Sequence, residues 1–316
     1  MTTGRPNISV VIPLHNKQAH ILATIQSVLA QSLPPLEIIV VDDGSTDQSA
    51  KLIQIQLATN PDYQCVRLIQ QVNGGVGKAR NVGIEAANND FVALLDADDS
   101  WEAHFLAEID DLIERFPKAG AFATGYQKML SDNLYVDPKV RFPTAITTAT
   151  ILPCYFEICA RGDLPFIASS VCIDKTRVTD APWFPEGESM GEDQDLWARL
   201  SLHSSIAFSP KVLAFYRLDA ENRACTRNYP SVECGFSRRL NQAIKTGRIP
   251  IHRRASVLTY TATHLLHLAR LNISIGRFQV ARTLLSDRRC NRLWVKKTLC
   301  QARMLLMTRL RHLRVE

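Results

Sequence analysis

Asp96, Asp98 and Asp99 fall within four residues at the end of the apolar run Phe91–Leu95. Two carboxylates held about 4 Å apart repel by about 4 kcal/mol at an effective dielectric near 20. Such a cluster therefore needs a cation, an arginine or geometric separation. The run before it has lost polar alternation, as a strand does when both faces of a parallel sheet are covered. The acids then stand at the carboxyl edge of the sheet, where open α/β sheets bind ligands. The competing reading is that one of Asp98, Asp99 or Ser100 caps a helix from about Trp101 to Phe116. Capping accounts for one acid and leaves the others for metal or ligand binding.

A second chemical stretch is Gly191–Leu202. If it is helical, Asp193 shares a face with Leu196, Trp197 and Leu200, and Glu192, Asp195 and Arg199 lie on the opposite one. Asp195 and Arg199 would make an ordinary i, i+4 surface pair. An inward acid in the first turn is either a helix cap or a general base whose pKa burial has raised. A third stretch, Asn73–Asn81, is rich in glycine and basic, so its backbone amides and Arg80 can approach phosphate oxygens. It also reads as a plain helix start. It is not a P-loop, because Ala79 follows Gly77-Lys78 where a Ser or Thr would be needed.

The elements that must position these residues follow from hydrophobic pattern. Asn7–Ile12, stopped by Pro13, is a buried strand, and Gln18–Gln31 carries a helical stripe of Ile21, Leu22, Ile25, Val28 and Leu29. Leu36–Val41 is the next strand. It runs into the acidic turn Asp42–Asp47, which opens a helix. With a weaker strand at 65–69 and another near 119–124, this is a right-handed βαβ series. Residues 130–190, rich in proline and aromatics, read as a loop-rich wall of a second pocket or as a surface insertion. Short strands are expected at 206–208 and 212–216, and helices at 235–246, 252–272, 276–286 and 291–313.

With 316 residues and 46% hydrophobic composition, the chain can bury a large core. It lacks an apolar run long enough to span a membrane, and its start lacks a signal-peptide layout, so a cytoplasmic protein is expected. The eight cysteines show no C-x-x-C pair and read as reduced thiols. The net charge of +6 is uneven: residues 277–316 carry +9 and the remainder −3. The basicity thus belongs to the tail and gives little reason to expect a nucleic-acid enzyme. In that tail, Val295, Leu299, Ala302, Leu306, Leu310 and Leu313 share one helical face. Packing on the catalytic domain or another subunit and binding to an anionic membrane each suit it, with nucleic acid as the third reading.

Taken together, Val10–Asn16, Val40–Asp47, Gly77–Gly83, Leu95–Asp99 and Gly191–Trp197 resemble the family 2 glycosyltransferases, inverting enzymes of the glycosyltransferase A fold. The resemblance spans about residues 7–220. It implies a Rossmann-like, mostly parallel sheet flanked by helices, with residues 1–230 as a transferase domain dependent on a nucleotide-sugar donor. Residues 231–316 would be an all-helical, basic extension. By that resemblance Pro13 and His15 lie against the base, Asp43 bonds the base edge, and Asn73 and Arg80 sit near the nucleotide. Asp96 is placed near the ribose, Asp98 on a Mg2+ or Mn2+ ion, and Asp193 as catalytic base. The chain departs from the family at His15, where tyrosine is usual. It has no Q-x-x-R-W segment of the processive synthases, so a single sugar, a UDP-sugar by preference, would pass to a glycan or lipid-linked glycan acceptor in cell-surface polysaccharide assembly. A loop with Arg217, Arg223 and Arg227 could close over the diphosphate or be solvated surface. Two other functions compete: a nucleotidyltransferase, whose glycine-rich loop after the first strand is replaced here by PLHN, and a non-catalytic nucleotide-sugar scaffold.

Overall fold

The computed structural model describes residues 7–131, 134–178, 182–188, 190–221 and 229–312. The chain opens with β1 (Ile8–Leu14), α1 (Ile21–Leu29), β2 (Glu37–Asp43), α2 (Ser49–Thr59), β3 (Val66–Gln71), α3 (Val76–Ala86) and β4 (Phe91–Leu94). It continues through β5 (Ser100–Trp101), α4 (Phe105–Arg115), β6 (Ala119–Ser131), β7 (Leu134–Val136), β8 (Thr150–Ile151), α5 (Tyr155–Arg161), β9 (Val171–Asp174), α6 (Glu192–His203) and β10 (Ser205–Arg217). Four helices follow: α7 (Gly235–Lys245), α8 (Ile251–Ser274), α9 (Phe278–Ser286) and α10 (Trp294–His312).

The sheet runs in the order β3-β2-β1-β4-β9-β6-β10-β5. Strands β1 to β4 are parallel, and β9 is wedged antiparallel between β4 and β6. The sheet is therefore mixed, with a parallel nucleotide-side half. The expected strand end at Pro13 is corrected: β1 continues to Leu14, with Pro13 opposite Val41. On its other side β4 reaches only as far as Val11, so no neighbour there requires the missing Pro13 N–H. The expected helix start at Trp101 is corrected too. Trp101 pairs with Ala214 in the sheet and its indole donates to the Ser169 carbonyl at 2.6 Å. The two strands expected in 206–216 are one, β10, irregular between Ser209 and Val212.

Alternating residues divide between two cores, as strand geometry requires. Val11, Ile39, Val41, Val92 and Leu94 face α3, α5 and α6, whereas Val10, Ile12, Ile38, Val40 and Ala93 face α1 and α4. The first core runs on past residue 230, since Phe236, Leu240, Val257 and Tyr260 pack with Phe156 and Trp197. Farther along, α8, α9 and α10 close a third core around Leu265, Leu268, Leu285 and Met304.

Helix α3 lies tight on β1 because residue 83 is glycine. A Cβ there would come within 2.3 Å of Val11 Cγ1. Gly83→Ala should therefore lower stability by about 1–3 kcal/mol through overpacking. Urea unfolding measures it, and an unchanged midpoint would mean that α3 moves freely away from the sheet.

Candidate active site

The acids at the end of β4 meet three different partners. Asp99 turns inward and is fully buried; its Oδ1 accepts from the Arg217 N–H at 2.9 Å and its Oδ2 from the Ser169 hydroxyl. Burial, then the charges of Asp98 and Asp96, hold its pKa well above the ordinary carboxylate value. Asp98 Oδ2 meets Lys17 Nζ at 2.6 Å, and that ammonium also donates to the Glu221 carbonyl at 2.8 Å. Asp96 Oδ1 meets Arg80 Nη2 at 2.7 Å. A lysine, an arginine and an inward turn thus relieve the repulsion.

Arg80 is the hub. Its other terminal nitrogen, Nη1, bonds Glu192 Oε1 at 2.9 Å, and its carbon Cζ sits 5.1 Å from the Phe184 ring centroid. Burial works against the buried guanidinium's charge, but Asp96 and Glu192 outweigh it, and its pKa is raised. Phe184 is held there by Asn81, which donates to its carbonyl and accepts from its N–H, both at 2.8 Å. The 182–188 segment is in this way clamped to α3.

Asp193, in the first turn of α6, is partly buried, and its Oδ1 accepts from the Gln194 N–H at 2.7 Å. Its pKa is pushed up to about 7, first by burial and next by the Glu192 carboxylate, with Arg80 opposing. Tyr155 and Tyr260, ring centroids 6.0 Å apart, both lie close enough to Asp193 to feel its charge. Tyr260 donates to Gln194 Oε1 at 2.8 Å, and the buried Tyr155 hydroxyl has no hydrogen-bond partner among the described residues.

The expectation that Glu192 and Asp195 face solvent is corrected. Both are buried, Glu192 against Arg80 and Asp195 between Arg199 at 2.9 Å and Arg239 at 2.6 Å. The helical period was right, but α7 covers the face it labelled outer. Arg239 of α7 is the partner that a wheel of α6 alone does not contain.

At the nucleotide end, Asp43 is buried and its carboxylate organises the loop before α3. Oδ1 accepts from the Gly74 N–H and from Gln71 Nε2, each at 2.7 Å, and Oδ2 from the Gly75 N–H at 2.8 Å. Gly75 adopts φ +90, open to glycine and strained for other residues. Asn73 Nδ2 donates to the Asp43 carbonyl at 3.1 Å and lies 3.2 Å from His15 Nδ1, which is itself 2.9 Å from that carbonyl. His15 and Asn73 are exposed side by side, whereas Pro13 is buried in β1. The structure therefore gathers His15, Asp43 and Asn73 into one cluster and Arg80, Asp96 and Asp193 into another, and sets Asp98 apart with Lys17. Arg217 ends β10 with Nη1 3.3 Å from Asp219 Oδ1; Arg223 and Arg227 lie outside the described residues.

Among the described residues, no three His, Cys, Asp or Glu side chains converge as a metal cage. Asp98 and Asp96 each commit one oxygen to a cation and keep the other without a hydrogen bond among the described residues. The free oxygen of Asp98 fits an ion completed by substrate phosphates, as Mg2+ is commonly held, with the Lys17 ammonium as the cation such an ion would displace.

Lys17, Glu192, Ser169 and Phe184 are site residues that pattern reasoning missed. Glu192 alone carried a signal, as the neighbour of Asp193 at a helix start.

Three comparisons bear on this geometry. Residues 9–165 match the model of the Glycosyl transferase family 2, and Asp193 lies beyond that match. TuaG of Bacillus subtilis (strain 168), a glycosyltransferase named for teichuronic acid biosynthesis, is 36% identical over 149 residues, 46% of this chain and 57% of that protein. The chondroitin synthase of Escherichia coli is 35% identical over 97 residues, 31% of this chain and 14% of that one. The chain thus spans about half the length of TuaG or less of such relatives. Among solved structures, the mannosyltransferase PcManGT of Pyrobaculum calidifontis, in complex with GDP-Man and Mn2+, superposes with a TM-score of 0.63 at 16% identity, covering 97% of this chain and 87% of that one. TarS 1–349 of S. aureus with UDP-GlcNAc gives 0.59 at 17% identity, covering 88% of each. These two likenesses carry the fold, and the sequence matches carry the lineage: through residues 9–165 the chain belongs to glycosyl transferase family 2.

Proposed function

We propose that the chain is an inverting, non-processive glycosyltransferase that moves one sugar from a nucleoside diphosphate sugar, a UDP-sugar by preference, to an acceptor hydroxyl. The acceptor is a glycan or lipid-linked glycan in cell-surface polysaccharide assembly, the setting in which TuaG is named. The observation that carries the reading is Asp193. It is a carboxylate with a pKa near 7, joined through Glu192, Arg80 and Asp96 to the acids at the sheet edge.

In this reading Asp193 takes the proton of the acceptor hydroxyl as its oxygen bonds to the anomeric carbon. The bond from that carbon to the diphosphate breaks on the opposite face, its electron pair leaves with the diphosphate, and configuration inverts. A base in this position contributes about 10² to 10⁴ in rate when its pKa lies near the working pH. Asp43 holds the Gly74 and Gly75 amides in the loop beside the nucleotide, His15 and Asn73 flank the base, and Pro13 backs it from β1. Asp96 lies near the ribose, and Asp98 would hold Mg2+ or Mn2+. Such an ion neutralises charge on the departing diphosphate.

Release of UDP or GDP from a panel of nucleotide sugars, with and without Mn2+, tests the proposal; a chain that releases neither from any donor contradicts it. Asp98→Ala should abolish the Mn2+-dependent part of nucleotide binding in titration calorimetry. Equal affinities with and without Mn2+ in the unaltered chain, or no change in the variant, would remove Asp98 from the metal role.

A further inference from the structure

Helix α10 carries two apolar stripes. One, formed by Cys300, Met304 and Met307, packs with Leu293 into the third core. The other, formed by Trp294, Val295, Leu299, Leu305 and Leu306, faces outward, with Trp294 69% and Leu299 65% exposed. The face singled out in the sequence through Val295, Leu299, Ala302 and Leu306 is thus the exposed one. The side chains of Leu310 and Leu313 lie outside the described residues. Lys296 and Arg303 stand at the boundary between the two stripes, one turn from Leu299.

Beside this stripe a cavity of about 660 Å3 opens between α5, α8 and the start of α10. Arg141, Arg161 and Lys296 line it together with Phe142 and Leu293, and Glu157 is its one acid. None of those three cations has an ion-pair partner among the described residues. Helix α5 sets Tyr155 and Cys159 close enough to Asp193 to feel its charge, while Glu157 and Arg161 of the same helix line this cavity. The cavity is therefore separate from the candidate active site.

A surface that exposes Trp and Leu next to cations without an ion-pair partner among the described residues matches the interface of an anionic bilayer. There the apolar side chains enter the headgroup and acyl boundary and the cations meet phosphates. The +9 charge of residues 277–316 is the complementary sign. We propose that the outward stripe of α10 and the Arg141–Arg161–Lys296 cavity form a docking site for an anionic phospholipid surface, with one lipid phosphate seated in the cavity. This holds for any donor sugar and does not rest on the transfer chemistry.

The test is co-sedimentation of the full chain with vesicles of phosphatidylcholine alone and of phosphatidylcholine with phosphatidylglycerol. Binding is expected to the anionic vesicles only, and to fall as sodium chloride is raised. The variant Arg141→Ser/Arg161→Ser/Lys296→Ser should weaken it on the order of a hundredfold, at about one kcal/mol per cation. Leu299→Ser/Leu306→Ser should weaken it as well, with the thermal midpoint of both variants unchanged. Equal binding to the two vesicle types, no binding to either, or folded variants that bind like the unaltered chain would overturn the proposal. A dimer by light scattering that Leu299→Ser/Leu306→Ser dissociates, without vesicle binding, would assign the stripe to a second copy and overturn it too. If the triple variant does not fold, the salt series on the unaltered chain decides.

Discussion

Asp193→Asn should abolish sugar transfer, with a loss of about 10² to 10⁴ in kcat, while nucleotide affinity changes little. The asymmetry follows from placement. Asp193 sits in the first turn of α6, and its side chain's one hydrogen bond among the described residues comes from the neighbouring Gln194 N–H, so its amide replacement leaves Asp43, Asn73 and Asp98 where they are. The substitution has a second, independent sign. Asp193 has a folded pKa near 7 against an ordinary 3.8, so the folded chain binds more protons than the unfolded one between those values. Stability contributed by this group therefore declines as pH rises through that window. Above pH 7 the Asn variant, which has no charge to bury, should unfold no more readily than the unaltered chain. A variant that keeps full activity would remove Asp193 from the chemistry, and one that loses nucleotide binding as well would make it structural.

The second large effect is expected at Arg80. Replacement by Met strands Glu192, which is buried, and Asp96, whose side chain is 30% exposed, with no cation between them. Breaking a buried pair by removing one partner costs about 3–5 kcal/mol, because the remaining charge is left uncompensated. Urea unfolding of Arg80→Met should show a loss of that order, and Arg80→Met/Asp96→Asn/Glu192→Gln a smaller one, since no charge is then stranded. A single variant as stable as the unaltered chain would mean that solvent already relaxes the cluster. Arg80→Met should also lower activity, since the guanidinium links the acids of the sheet edge to Asp193. It partly offsets the rise in the Asp193 pKa, so the variant's base would titrate at higher pH.

The parts of this site that were legible in the sequence were the ones set by a local rule. Buried apolar runs marked β1, β2 and β4, and the position of Asp96, Asp98 and Asp99 at a strand end followed from them. The C-terminal helices were legible for the same reason, with ends within about three residues, as expected of frayed termini. What stayed hidden depends on distant partners. Strand β9 is four residues long and gains its place by wedging between β4 and β6, an event of topology that Val171–Asp174 does not announce. Glu192 was assigned to solvent because a wheel of α6 does not contain Arg80, 112 residues away. Lys17 lies 81 residues from Asp98. In each case spacing along the chain revealed the type of group, and the fold alone revealed its counter-charge.

The measurement that bears most directly on the central claim is the pH dependence of kcat/KM for transfer, with the donor identified by the nucleotide-release panel. This parameter reports the free enzyme's essential base. With Asp193 near pKa 7, it should rise tenfold per pH unit below about 7 and level off above it. A profile that is flat from about pH 5.5 to 8.5, in a chain whose fold is intact over that range, would contradict Asp193 as the base.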